Sequence, residues 1–157
     1  ISLSLLFSSL GLPDTQETKD AYMTGNLWCW DAFEKGIITL EELEEKRMSL
    51  FFQNLGRRDL DASRAAEAYA TYLSENGILL KGAREMLESL SSYPKALITN
   101  GIAKVQRGRL RDTDSEKYFT HIFISQEIGV QKPKKEFFSI VLSTIGKTKD
   151  ECTKSRM

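Results

Sequence analysis

Apolar residues in the first half of the chain recur at helical spacing. Leu3, Leu6, Phe7 and Leu10 fall at i, i+3, i+4 and i+7, which predicts a helix with one buried face, ended by Gly11 and Pro13. Asp14 or Thr15 can cap a second helix that runs to about Lys35 and stops at Gly36. On it Tyr22, Asn26, Trp30 and Phe33 share a face. Thr39 followed by Glu42 forms a capping-box pattern and opens a third helix. Its Leu40, Leu43, Leu50 and Phe51 line up, with Arg47 in the middle of the stripe. Asp61 or Ser63 starts a fourth helix with Ala66, Tyr69, Ala70 and Leu73 inward, closed by Asn76-Gly77.

The period then changes. Gly82 starts a helix with Ala83, Met86, Leu87 and Leu90 on one face, broken at Tyr93-Pro94. Ala96-Leu97-Ile98 reads as a short buried strand opening into the turn Thr99-Asn100-Gly101, and Ile102 to about Arg111 reads as a helix. A second strand is expected at His121–Ser125, then a loop, then a helix with Phe137, Phe138, Val141, Leu142 and Ile145 inward. Helices alternating with strands in this way predict an α/β fold with parallel strands and crossover helices. The domain reading is a helical segment over 1–78 and an α/β segment over 79–157.

Composition adds mainly exclusions. The chain has 157 residues, with 22 Lys plus Arg against 22 Asp plus Glu, so no net charge draws it to nucleic acid or a membrane surface. Lys104, Arg107, Arg109 and Arg111 form a basic run without interleaved aromatics, and read as a solvated face. Cys29 and Cys152 lack metal-ligand spacing and read as reduced thiols of a cytoplasmic protein. The single His121 cannot build a histidine-rich metal site. The apolar N-terminal run lacks a basic leader and is too short to span a bilayer. Both ends look cut from something larger.

Two places suggest chemistry. A hydroxyl, an amide and a glycine at the carboxyl end of a strand, before a helix, suit an oxyanion; a plain strand-to-helix turn uses the same residue types. Lys132 precedes Pro133, which suits the first position of a helix and would hold the lysine extended just ahead of it. A cation there opposes the helix dipole and makes more sense if an anion shares the site; a solvated lysine beside a loop proline is the alternative.

The stretches ALITNG (96–101), YFTHIFIS (118–125) and EIGVQKPKKEFF (127–138) together resemble the haloacid dehalogenase-like hydrolases. The segment NLWCWDAFEKGIITLEELEEKR (26–47) is similar to the inserted helical cap of that family's pyrimidine 5′-nucleotidase-like branch. The resemblance implies a partial Rossmannoid parallel sheet, two strands of it retained, with a helical cap. It implies that the Thr99 hydroxyl and the Lys132 ammonium are catalytic, meeting the transferred phosphoryl group, with Asn100 and the Gly101 backbone beside it. Arg47 becomes a candidate substrate group; alternatively it snorkels, its stem covering apolar surface. Trp28 could stack a base, as could Trp30, although Trp30 reads better as cap core.

The implied reaction is hydrolysis of a phosphomonoester, most simply a nucleoside 5′-monophosphate, through an aspartyl-phosphate with Mg²⁺. Sugar-phosphate phosphatase, phosphoglucomutase and dehalogenase activities share the same core, and a non-catalytic helical binding module is the reading from a different class. Two family motifs are not found in the sequence: the nucleophile Asp-x-Asp and a later acidic metal-binding motif. The Asp-x-Asp at Asp112-Thr113-Asp114 follows a basic polar stretch and reads as a surface loop and cap. The expectation is therefore a fragment, inactive as given, whose Thr99 strand lies at a sheet edge and whose stability in isolation is marginal.

Overall fold

The computed structural model describes residues 1–154. It divides at Asn76/Gly77 into two units.

The first unit is four helices, α1 (Ser2–Ser9), α2 (Gln16–Glu34), α3 (Leu40–Asn54) and α4 (Ala62–Glu75). Each of the last three begins at a side-chain cap that meets an otherwise unpaired amide. Thr15 accepts from the Thr18 amide, Asp61 accepts from the Arg64 amide, and Thr39 with Glu42 forms the full capping box. Leu6 and Phe7 of α1, Tyr22 of α2, Met48, Phe51 and Phe52 of α3, and Ala65, Ala66 and Tyr69 of α4 make one core. Phe51 is its centre, with ring centroids 5.6 Å from Phe7 and 5.7 Å from Tyr22.

The buried seam of α2 is Thr18, Tyr22, Gly25, Cys29, Ala32 and Phe33, which differs from the expected stripe. Trp30 is only half-buried and Trp28 is exposed. The reason is the closeness of α3: a Cβ on Gly25 would stand 2.9 Å from Leu50 Cβ. Small residues occupy that line, and the indole of Trp30 is displaced to its edge.

The second unit contains α5 (Ala83–Ser89), β1 (Ala96–Thr99), α6 (Ala103–Asp112), β2 (His121–Ile124), α7 (Ser125–Ile128) and α8 (Lys135–Ile145). The strands are parallel, in register Ala96↔His121 through Thr99↔Ile124. Phe123, Phe137 and Val141 form the core, with Ile98, Ile128, Phe138 and Ile145 packed on it. Val105 and Leu110 of α6 are buried as well.

Three expectations change here. The β1 strand is not buried: Ala96 is exposed and Leu97 to Thr99 are half-buried. Among the described residues the sheet has two strands, so one edge of β1 is unpaired. Of the apolar face expected on α5, only Leu87 is buried, and Leu90 is 39% exposed. Pro133 does not open a helix. Residues 131–134 form a turn, closed by the Lys134 amide on the Gln131 carbonyl at 3.0 Å, and α8 begins at Lys135. The Lys132–Pro133 peptide is cis. No helix of the described residues is long and apolar enough to cross a membrane.

Candidate functional site

In a parallel pair the two strands end side by side, so the residues just past β1 and β2 share one crevice. Past β1 come Asn100 and Gly101, and past β2 come Ser125 and Gln126. The Gly101 amide donates to Ser125 Oγ at 3.2 Å, and the Ala103 amide, at the start of α6, donates to Gln126 Oε1 at 2.7 Å. Ser125 and Gln126 therefore fix the path of the turn. Both fall where the sequence pattern predicts a strand end and a loop. Their signal was positional, since they lie immediately after a strand expected to pair with β1.

Lys132 is joined to the same turn from the far side. Asn100 Nδ2 donates to the Lys132 carbonyl at 2.8 Å, and the Lys132 amide donates to Asn100 Oδ1 at 2.9 Å. Only one orientation of the Asn100 amide satisfies both bonds. The Lys132 ammonium reaches back to the carbonyl of Ile98 at 3.1 Å, one residue before Thr99. Thr99 Oγ1 makes a 3.4 Å contact with the Asn100 carbonyl, at the long limit for a hydroxyl donor.

Thr99, Asn100, Gly101 and Lys132 are thus gathered at one strand end, although Lys132 lies far along the chain. The set is a hydroxyl, an amide and an ammonium, which suits an anion. It offers no carboxylate, and its ammonium repels a divalent cation. No group of three or more His, Cys, Asp or Glu placed to hold a metal occurs among the described residues. These four residues by themselves do not fit Mg²⁺.

The Asp112-Thr113-Asp114 pair is occupied elsewhere. The Asp112 carboxylate accepts the Gly77 amide at 2.6 Å, and Asp114 is paired with Lys117, whose cation holds its carboxyl below the usual range. Both lie at the far end of α6, about 15 Å along the helix from the Thr99 turn. Arg107, from the basic run, forks onto Glu127 at 2.9 and 3.1 Å and ties α6 to α7. His121 is exposed and stacks on Phe123.

Arg47 belongs to the helical unit. It does not snorkel: the residue is 3% exposed, with its guanidinium carbon 5.0 Å from the centroid of the Tyr69 ring. Its Nε and Nη2 are buried without a hydrogen-bond partner. Burial pushes the nearby Tyr22 phenol well above its ordinary range, with the Arg47 charge acting in the opposite direction. Burial likewise raises the Cys29 thiol.

A family model described as haloacid dehalogenase-like hydrolase matches residues 26–153, across both units. The chain belongs to the haloacid dehalogenase-like hydrolases. This hydrolase-family chain is 34% identical over 146 residues to a HAD-hydrolase of Bacillus subtilis, YfnB, covering 92% of this chain and 62% of that protein. It is 35% identical over 140 residues to the pyrimidine 5′-nucleotidase PynA of Streptococcus pneumoniae, covering 88% of this chain and 59% of that one. The magnesium-bound crystal structure of Bacillus subtilis YfnB aligns with a TM-score of 0.84 at 33% identity, over 94% of this chain and 64% of that chain. The chain thus spans about three fifths of the length of these relatives. The helical segment and two-stranded parallel sheet are those of the family's α/β fold with a helical cap.

Proposed function

We propose that this chain carries the helical cap and one side of the phosphate site of a phosphomonoester hydrolase, acting on nucleoside 5′-monophosphates. The observation that carries the reading is the approach of the Lys132 ammonium to the Ile98 carbonyl, beside the Thr99 hydroxyl. A group transferring a phosphoryl needs charge stabilisation placed before the reaction begins. Here Lys132 neutralises the charge that develops on the phosphoryl oxygens. Thr99 Oγ1, which makes a long 3.4 Å contact with the Asn100 carbonyl, turns to donate to one of them.

The groups gathered at this turn among the described residues include neither a carboxylate nucleophile, on which an aspartyl-phosphate would form, nor a set of ligands for Mg²⁺. The nucleotide class rests on the likeness to PynA and on the cap segment 26–47. Arg47 is carried as a candidate substrate group of the cap. Its support is local: two buried N–H groups without acceptors are costly, and a phosphate, carboxylate or base carbonyl would satisfy both.

The test is phosphate release by the complete protein containing this chain, with uridine and cytidine 5′-monophosphates against a hexose phosphate. Pyrimidine nucleotides are expected to be the faster substrates. K132A and T99A are each expected to lower kcat by about 10²–10³-fold, the scale on which removal of a single transition-state donor acts. Wild-type turnover in both variants would overturn the site. No turnover of any phosphomonoester would overturn the activity and favour a non-catalytic binding role. The 157-residue chain alone is expected to release none.

A further inference from the structure

We infer that Asn100 is a positioning residue for Lys132, and that its amide holds the lysine backbone so that the ammonium lies against the end of β1. The carboxamide has one acceptor and one donor side, and both are directed at Lys132: Oδ1 receives its N–H at 2.9 Å and Nδ2 donates to its C=O at 2.8 Å. This is the pairing a neighbouring strand would give, supplied here by one side chain. Residues 131–134 form a turn and not a strand or helix, and the clasp gives the Lys132 backbone the pair of bonds a strand ladder would give. Asn100 is itself fixed. It stands between Thr99, paired with β2, and Gly101, whose amide is bonded to buried Ser125. A chain of bonds runs from β2 through Ser125 and the Gly101 turn to Asn100 and on to Lys132. The ammonium at its end reaches the Ile98 carbonyl at 3.1 Å. Asn100 thereby spends its polar atoms on the lysine, and its effect on any bound anion passes through the lysine.

That Lys132 acts on a phosphoryl group rests on the function proposed above; the clasp itself does not, and its test needs no turnover. The probe is pulse acetylation of the 157-residue chain, read by mass spectrometry as the rate at Lys132 relative to Lys134 and Lys135. General loosening of the fold raises all three rates together. Loss of the clasp raises Lys132 alone. In N100L, which keeps the side-chain shape and removes both bonds, the ratio is expected to rise about tenfold, as two ordinary hydrogen bonds imply. N100A serves as the second variant, with the same rise expected, should the leucine disturb the turn. An unchanged ratio in either variant, with wild-type far-ultraviolet circular dichroism, would overturn the inference. If K132A leaves nucleotide turnover intact while the acetylation ratio responds to N100L, the catalytic reading fails and the clasp stands.

Discussion

The two units solve the same problem with different means. In the helical unit, four amphipathic faces turn toward one another, and Leu6, Phe7, Leu43, Met48 and Phe51 are sealed completely. In the α/β unit the core is the small Phe123, Phe137 and Val141 group, and β1 is only half covered. A helix satisfies its own backbone and needs company only for its apolar stripe. A strand in a parallel sheet needs a neighbour at each edge as well as cover on its faces. Both units leave some apolar residues in the open, Leu27 and Ile37 in the helical unit and Ile78 and Leu80 in the α/β unit, and the difference lies in how many large side chains each core encloses completely. The contrast extends to polar groups. The α/β unit directs polar groups into the turn at Thr99, whereas the helical unit keeps two unpaired guanidinium nitrogens of Arg47 inside its core.

The sharpest way to break this comparison is to remove one ring from each core. F51A is expected to cost about 3–5 kcal/mol, toward the upper end because Phe7, Tyr22 and Phe52 are all packed on that ring. F137A is expected at the lower end of the same range, because half-buried Phe138 and Ile145 can move into the space. Denaturant unfolding followed by amide exchange in each unit reads the two costs separately. A larger loss for F137A would reverse the view of which core is better sealed.

Next in size is the buried guanidinium. R47M is expected to stabilise the helical unit by roughly 1–2 kcal/mol, relief of burial outweighing the lost contact with the Tyr69 ring. A lower denaturation midpoint would instead mean that the aromatic surroundings satisfy the cation. T39A tests the local contribution. Loss of the Thr39–Glu42 box is expected to cost about 1 kcal/mol, with increased exchange confined to the first turn of α3. Spread of that exchange into α2 or α4 would mean that the cap is coupled to the whole bundle.

The smallest effect is on pH dependence. The Arg57 guanidinium holds the exposed Asp59 carboxyl at about 2, below its ordinary 3.8. A carboxyl depressed in the fold contributes above its unfolded value, and that contribution is lost as pH falls from 3.8 through 2. A carbon-detected titration should place the Asp59 midpoint near 2, and R57A should return it toward 3.8. An unmoved midpoint would assign the shift to the backbone.

Helix positions were legible because each rests on a local device. Thr39 and Glu42 stand three residues apart and satisfy one another wherever the rest of the chain goes. The stripe holding Leu40, Leu43 and Phe51 was likewise visible as periodicity, with Arg47 inside it. Thr99 and Lys132 could be picked out by their places at a strand end and before a proline. Their proximity could not, because nothing local joins residues so far apart. The role of Ser125 and Gln126 was hidden for the same reason: a serine after a strand is common, and only the parallel pairing brings it to the Gly101 amide.

Spacing and residue type alone thus determined the order of the longer helices and the two strands, the Thr39 cap, and the residue classes suited to an anion. The tertiary structure decided which atoms those residues touch. It turned Asn100 toward Lys132, replaced an expected helix start at Pro133 with a turn, and enclosed Arg47 beside Tyr69. Local rules are satisfied within a few residues, whereas a buried charge or a side-chain clasp depends on which distant segments pack there. Periodicity carries no record of that choice.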